Sequence, residues 1–244
     1  MRIFLFFLLV AGIGFILFQY IRTTQFIRIG TELSDRAIPF SRPLPQATLK
    51  ILVLGDSTGV GVGASSPEFS PAGLTAKRYP DAHIVNASVS GARMRDAVKQ
   101  LSEIKETDFD LVMIHIGGND AIRFTNNDEF AKDFAELMAQ AKEKGDYVLV
   151  TSTGDIGTVP LFPFGSRWIF ALRGYKIREI MKAEVARHDS ATVRYTDLLR
   201  ERALDPFALD PTHLYAEDKF HPSDAGYADW FSLMSKELDA FPIK

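Results

Sequence analysis

Five short apolar runs constrain this chain more than any other feature: Leu49–Leu54, Ile84–Val89, Leu111–Ile116, Tyr147–Thr151 and Thr192–Thr196. Each is five or six residues long, and most are rich in Val, Ile and Leu, the pattern of strands buried on both faces. Segments with helical periodicity separate them. Met94, Ala97, Val98, Leu101 and Ile104 form one stripe, and Phe130, Phe134, Leu137, Met138 and Ala141 a second. Tyr227, Trp230, Phe231, Met234 and Leu238 form a third near the C-terminus, and Gly145 fits the stop of the second helix. These aromatic and methionine residues read as core contacts. Alternation of strand and helix implies parallel strands joined by right-handed crossovers. The predicted fold is therefore α/β: a three-layer α/β/α sandwich around a five-stranded parallel sheet, flavodoxin-like. In such sheets ligands bind outside the carboxyl ends of the strands, so the loops that follow each run are where chemistry is expected.

The remaining numbers narrow the class. With 244 residues the chain can bury a large core, and 46% hydrophobic against 24% charged residues excludes intrinsic disorder. A net charge of -3 gives no basic excess for binding nucleic acid. The absence of cysteine excludes disulfides, thiolate nucleophiles, cysteine-ligated zinc and iron–sulfur clusters.

Residues Ile3 to Phe18 are all apolar or glycine. At ~1.5 Å per residue, a helix from Ile3 to Ile21 is roughly 28 Å long, close to the hydrocarbon thickness of a bilayer. Arg2 and Arg22 bracket it. The expectation is an uncleaved single-pass anchor over 1–21, with the globular domain outside the cytoplasm. A cleaved signal segment is the rival, although no Ala-x-Ala-like site follows the run. Arg2 lies on one side and Arg22, Arg28 and Arg36 on the other, which gives the positive-inside rule little to decide with. Pro39, Pro43 and Pro45 suggest an extended stalk over 22–47, with the globular domain spanning 48–244.

Four loops carry polar groups suited to chemistry. After the first run comes Gly55-Asp56-Ser57-Thr58-Gly59, glycine-rich but without the spacing or lysine of a phosphate-binding loop. After the second, Gly91 turns the chain toward a helix. After the third, Gly117-Gly118-Asn119-Asp120 can present an amide N–H to a cleft. Near the C-terminus lies Asp218-Lys219-Phe220-His221-Pro222, where an Asp three residues before a His can reach Nδ1 and leave Nε2 free as an acceptor. Pro222 is positioned to open the last helix. Each loop alone also fits an ordinary turn. The other histidines, His83, His115, His188 and His213, read as surface or satisfied core groups, with His115 and His213 still open as pocket walls.

In this order the four loops resemble the blocks of the SGNH (GDSL-type) hydrolase family, and the resemblance runs from residue 49 to about 239. Thr58 stands where the family's older name has Leu. The resemblance implies Ser57 as nucleophile, His221 as general base and then acid, and Asp218 as its orienting partner. It also implies an oxyanion hole from the N–H of Ser57, the N–H of Gly91 and the amide of Asn119, with no metal and no cofactor.

Substrate is less legible. Gly154 to Tyr175 follows the fourth run and carries Phe162, Phe164 and Trp168, expected as a substrate wall, with Arg167, Arg173, Lys176, Arg178 and Lys182 beside them. That segment fits an acyl-binding wall facing anionic headgroups, and equally an apolar crossover with a solvated basic face. The expected function is hydrolysis of carboxylic esters or thioesters, lipid-like acyl esters foremost. The alternatives are an O-acetyl esterase or acyltransferase acting on a carbohydrate or surface polymer, and a catalytically silent binding module on the same fold. The expected partners are a small-molecule or lipid ester and the membrane, with no nucleic acid.

Overall fold

A computed structural model describes residues 1–243. Five strands, β1 (Leu49–Gly55), β2 (Ala82–Asn86), β3 (Phe109–His115), β4 (Gly145–Thr151) and β5 (Val193–Thr196), pair in parallel in the order β2-β1-β3-β4-β5. The sheet is the expected one, with the flavodoxin-like strand order. The helices are α1 (Arg2–Arg36), α2 (Ser57–Val60), α3 (Pro71–Arg78), α4 (Met94–Glu103), α5 (Gly118–Ile122), α6 (Asn127–Lys144), α7 (Arg167–Val185), α8 (Pro206–Leu209), α9 (Pro211–Leu214) and α10 (Asp224–Leu238).

Strand period sorts the core onto two faces. Leu52, Leu54, Val112, Ile114, Val148 and Val150 face α4, α6 and α7, where they meet Met94, Leu101, Phe130, Phe134, Ile177 and Met181. Ile51, Val53, Leu111, Met113 and Leu149 point the other way, toward Ala72 and Ala76 of α3 and Met234 and Leu238 of α10. All three predicted stripes therefore lie on core helices.

Two element ends need correction, and a third holds with a twist. The second strand ends at Asn86, not Val89. The Asn86 side chain accepts from the N–H of Ser88 and donates to the carbonyl of Gly59, bending the chain, although the N–H groups of Ala87 and Val89 still donate to β1. Gly145 does close α6, but in an extended conformation, as the first residue of β4. The final helix begins at Asp224 with Ser223 as its cap, so Pro222 precedes it and bridges to Tyr215 instead.

The largest difference lies at 22–47. No proline occurs before Pro39, and α1 continues unbroken to Arg36. Half-buried Phe26, Ile29, Gly30 and Leu33 recur at helical spacing and face the globular body. Arg22 donates to the carbonyl of Pro160. Beyond the helix, Arg42 pairs with Ile84 at the open edge of β2, and its guanidinium donates to the carbonyls of Ala76, Tyr79 and Ala82. The expected stalk is a docked half-helix followed by a segment that covers the sheet edge.

Candidate active site

Strand order reverses between β1 and its neighbours β2 and β3, and the loops after β1 and β3 lie side by side at the carboxyl edge. Ser57 is the first residue of α2, where its N–H has no intrahelical acceptor. Asp56 caps that helix: its Oδ1 accepts from the N–H of Thr58 at 2.9 Å and from the Thr58 hydroxyl at 2.8 Å. Thr58 thus satisfies a buried carboxylate that a leucine at this position would leave with one partner fewer. Burial pushes the Asp56 carboxyl up to about 6, against the pull of those two hydrogen bonds. Beneath it, the carbonyl of His115 accepts from the Asp56 N–H. Gly55 (φ 148°) leaves room for that carbonyl, which would lie 1.9 Å from a Cβ.

The Asp218–His221 turn is built around one carboxylate. Its Oδ1 accepts from the N–H groups of Phe220 and His221, both at 3.0 Å. Its Oδ2 lies 2.5 Å from Nδ1 of His221. The turn closes because Lys219 adopts a left-handed conformation (φ 58°), uncommon for a residue with a Cβ. His221 Nε2 then lies 2.9 Å from Ser57 Oγ. All three side chains are buried. Gly63 (φ 95°) permits the approach of the two loops, since a Cβ there would lie 2.4 Å from the Pro222 carbonyl. From α10, Tyr227 Oη donates to the carbonyl of Val62, behind the Ser57 turn. On its other side Asp218 is covered by α1: a Cβ on Gly30 would lie 3.1 Å from Oδ2.

Asn119, in α5, lines the same cavity as Ser57 and His221. One Nδ2 hydrogen is committed to the carbonyl of Ala92 at 3.1 Å, which ties the Gly91 loop to the Asn119 loop and leaves the second hydrogen free. Gly91 (φ 79°) turns the chain one residue before that carbonyl but is not among the residues lining the cavity. Asp120 serves structure: its Oδ2 accepts from the Met94 N–H at the start of α4. His115 is a buried core residue with Nε2 unpartnered, and burial pushes its imidazole down to about 4. Neither His115 nor His213 lines this cavity.

The expected substrate wall is also corrected. Phe162 is buried behind the cavity, stacked on Phe170 and edge-on to Phe220. Phe164 and Trp168 are exposed on the outer surface. The apolar wall beside Ser57 comprises Ile156, Val159, Phe207, Phe220 and Trp230, with the Arg200–Asp229 ion pair at its polar margin. Trp230 was visible as part of a helical stripe. A period of 3.6 identifies a buried face but not the turn of it that opens onto a cleft.

Residues 53–228 match the model of the GDSL-like Lipase/Acylhydrolase family. A GDSL-like esterase of Mycobacterium tuberculosis (strain ATCC 25618 / H37Rv) is 24% identical over 200 residues, which is 79% of this chain and 60% of that protein. An arylesterase of Vibrio mimicus is 28% identical over 110 residues, which is 43% of this chain and 54% of that protein. The aligned regions thus span less than two thirds of either relative. The crystal structure of a lipolytic G-D-S-L family protein from Veillonella parvula DSM 2008 superposes with a TM-score of 0.62 at 14% identity, covering 78% of this chain and 97% of that one. The four blocks on one sheet edge and the family match over most of the chain agree: this protein belongs to the GDSL-like lipase/acylhydrolase family.

Proposed function

We propose that this protein is a serine esterase that hydrolyses carboxylic esters or thioesters through an acyl-enzyme intermediate. One observation carries the reading: His221 stands between Ser57 and Asp218, within hydrogen-bond reach of both. Ser57 Oγ attacks the ester carbonyl carbon as His221 Nε2 takes its proton. The oxyanion is received by the Ser57 N–H and the free amide hydrogen of Asn119, while Gly91, the third donor expected from sequence, stands outside the cavity lining and acts through the Ala92 carbonyl that holds Asn119. The imidazolium returns its proton to the leaving alkoxide or thiolate. A water then attacks the acyl-enzyme by the same route, releasing the acid and restoring Ser57. Asp218 holds the Nδ1 proton and fixes the tautomer throughout.

The apolar wall of Ile156, Val159, Phe207, Phe220 and Trp230 supports an acyl chain as the bound group. The N-terminal helix is long and apolar enough to cross a membrane, and no break separates its apolar half from the half docked on the body. That continuity supports an uncleaved anchor over a removed signal segment.

A fluorophosphonate probe applied to the membrane fraction tests the serine and the anchor together. Wild-type protein is expected to label and Ser57→Ala to stay unlabelled, with the label retained in the pellet after alkaline carbonate. An unlabelled wild type overturns the esterase reading, and a label released by carbonate overturns the anchor. Profiling p-nitrophenyl esters by chain length addresses the substrate. An enzyme restricted to acetyl esters overturns the lipid-like reading in favour of an O-acetyl esterase.

A further inference from the structure

The outer face of α7 is apolar where a solvated helix would be polar. Trp168, Leu172 and Tyr175 recur at helical spacing and are 63%, 62% and 55% exposed, and Phe164 just ahead of the helix is 77% exposed. The opposite face is the one that packs, through Gly174, Ile177, Met181 and Val185. Contiguous exposed aromatics of this kind mark a surface with a partner.

Three arginines beside this patch lack counter-ions, whereas Arg178, which lines the same cavity, is paired with Asp197 and Glu179. Arg22 and Arg167 both donate to the carbonyl of Pro160, so their guanidiniums crowd a single oxygen. Arg202 lines the same cavity as Trp168, Leu172 and Tyr175. Burial, then the charges of Arg22 and Arg202, make the Arg167 guanidinium less basic than usual, as expected of cations gathered without anions. Among the described residues, none of the three has a carboxylate within 4.0 Å.

On the anchor reading, the position of Arg22 bears on what covers this surface. Arg22 is the first charge after the apolar run, so it marks where the span leaves the hydrocarbon. Through Pro160 it fixes the 160–168 segment at that same level. A soluble partner seated here would have to occupy the space of the bilayer. The cavity under the patch also shares Thr153, Gly154, Asp155 and Ile156 with the cavity that holds Ser57.

We propose that Phe164, Trp168 and Leu172 rest in the headgroup–acyl boundary of the bilayer that α1 crosses, while Arg22, Arg167 and Arg202 bind the phosphates of anionic lipids. The catalytic body lies against its own membrane, and the route from the patch over Ile156 to Ser57 admits substrate from the lipid side. This proposal rests on the anchor reading above.

The test uses the full-length protein in vesicles of phosphatidylcholine with ~30% phosphatidylglycerol, a fraction that supplies an anionic surface. Tryptophan emission of wild type minus that of Trp168→Phe isolates Trp168. Bromine-labelled acyl chains are expected to quench this signal about twofold, with aqueous iodide nearly without effect. The double variant Arg167→Gln/Arg202→Gln is expected to lose most of the lipid quenching. Because the chain has no cysteine, Leu172→Cys carries a single environment-sensitive dye as an independent reporter, expected to shift to the blue on reconstitution. Protein retained after alkaline carbonate, with Trp168 open to iodide and the Leu172→Cys dye unshifted, overturns the docking surface while the anchor stands. Protein released by carbonate overturns the anchor, and the docking surface with it.

Discussion

At Asp218 one carboxylate accepts from two backbone N–H groups and holds Nδ1 of His221, and Lys219 takes up a left-handed conformation so that it can. The D-x-x-H-P spacing made this turn legible from sequence, whereas Ser57 and Asn119 each sit in a loop that also fits an ordinary turn and take their roles only from the family resemblance. The cavity wall was not legible, because Val159 sits in an irregular segment and Phe207 in the single-turn helix α8, both too short for a period to tell core from cleft. Asn119 carries a prediction: Asn119→Ala removes one oxyanion donor and is expected to lower kcat roughly a hundredfold with KM little changed. Steady-state kinetics check it, with a thermal melt to show that losing the Ala92 contact has not unfolded the loop. Asp56 carries another. Its folded value of about 6 lies above its ordinary 3.8, so folding binds a proton in that window and stability falls as pH rises through it, by about 3 kcal/mol. Asp56→Asn keeps an acceptor for Thr58 without the charge. It is expected to be more stable than wild type by that order near pH 7.5, and by little near pH 4. His115 acts in the opposite sense. Its imidazole is held down to about 4, so it resists a proton that the unfolded chain binds below 6.5. In Asp56→Asn stability should therefore rise with pH between about 4 and 6.5, as urea titrations across that range would reveal.

Among the elements, the strands were the most legible and α1 the least. A strand buried on both faces announces itself as a short apolar run. The second half of α1 is mixed in composition, and the prolines Pro39, Pro43 and Pro45 lie beyond it, so the stripe Phe26, Ile29, Gly30 and Leu33 stands out only once its packing is seen. That stripe matters because Gly30 leaves room for the carboxylate of Asp218. Gly30→Val places a branched side chain where Cβ alone would lie 3.1 Å from Oδ2. The expected result is a kcat at least about tenfold lower, since small displacements of an orienting group carry large kinetic penalties. Gly30→Ala is expected to stay within about twofold. Assays of both full-length variants in detergent micelles, with circular dichroism alongside, measure this. Wild-type kcat in Gly30→Val would contradict the docking of α1 on Asp218.

At the scale of the whole molecule, three distant parts of the chain meet. The turn after β1 supplies Ser57, the segment before α10 supplies Asp218 and His221, and the N-terminal helix closes over the carboxylate. In the proposed mechanism, their meeting at one sheet edge is what turns a serine hydroxyl, a weak nucleophile alone, into one reactive at neutral pH. The most direct test is the turnover of p-nitrophenyl butyrate by purified full-length Ser57→Ala, with its circular dichroism overlaid on that of wild type. The account predicts an intact fold and a kcat lower by roughly four to six orders of magnitude. A folded Ser57→Ala protein that turns over the ester within about tenfold of wild type would contradict it.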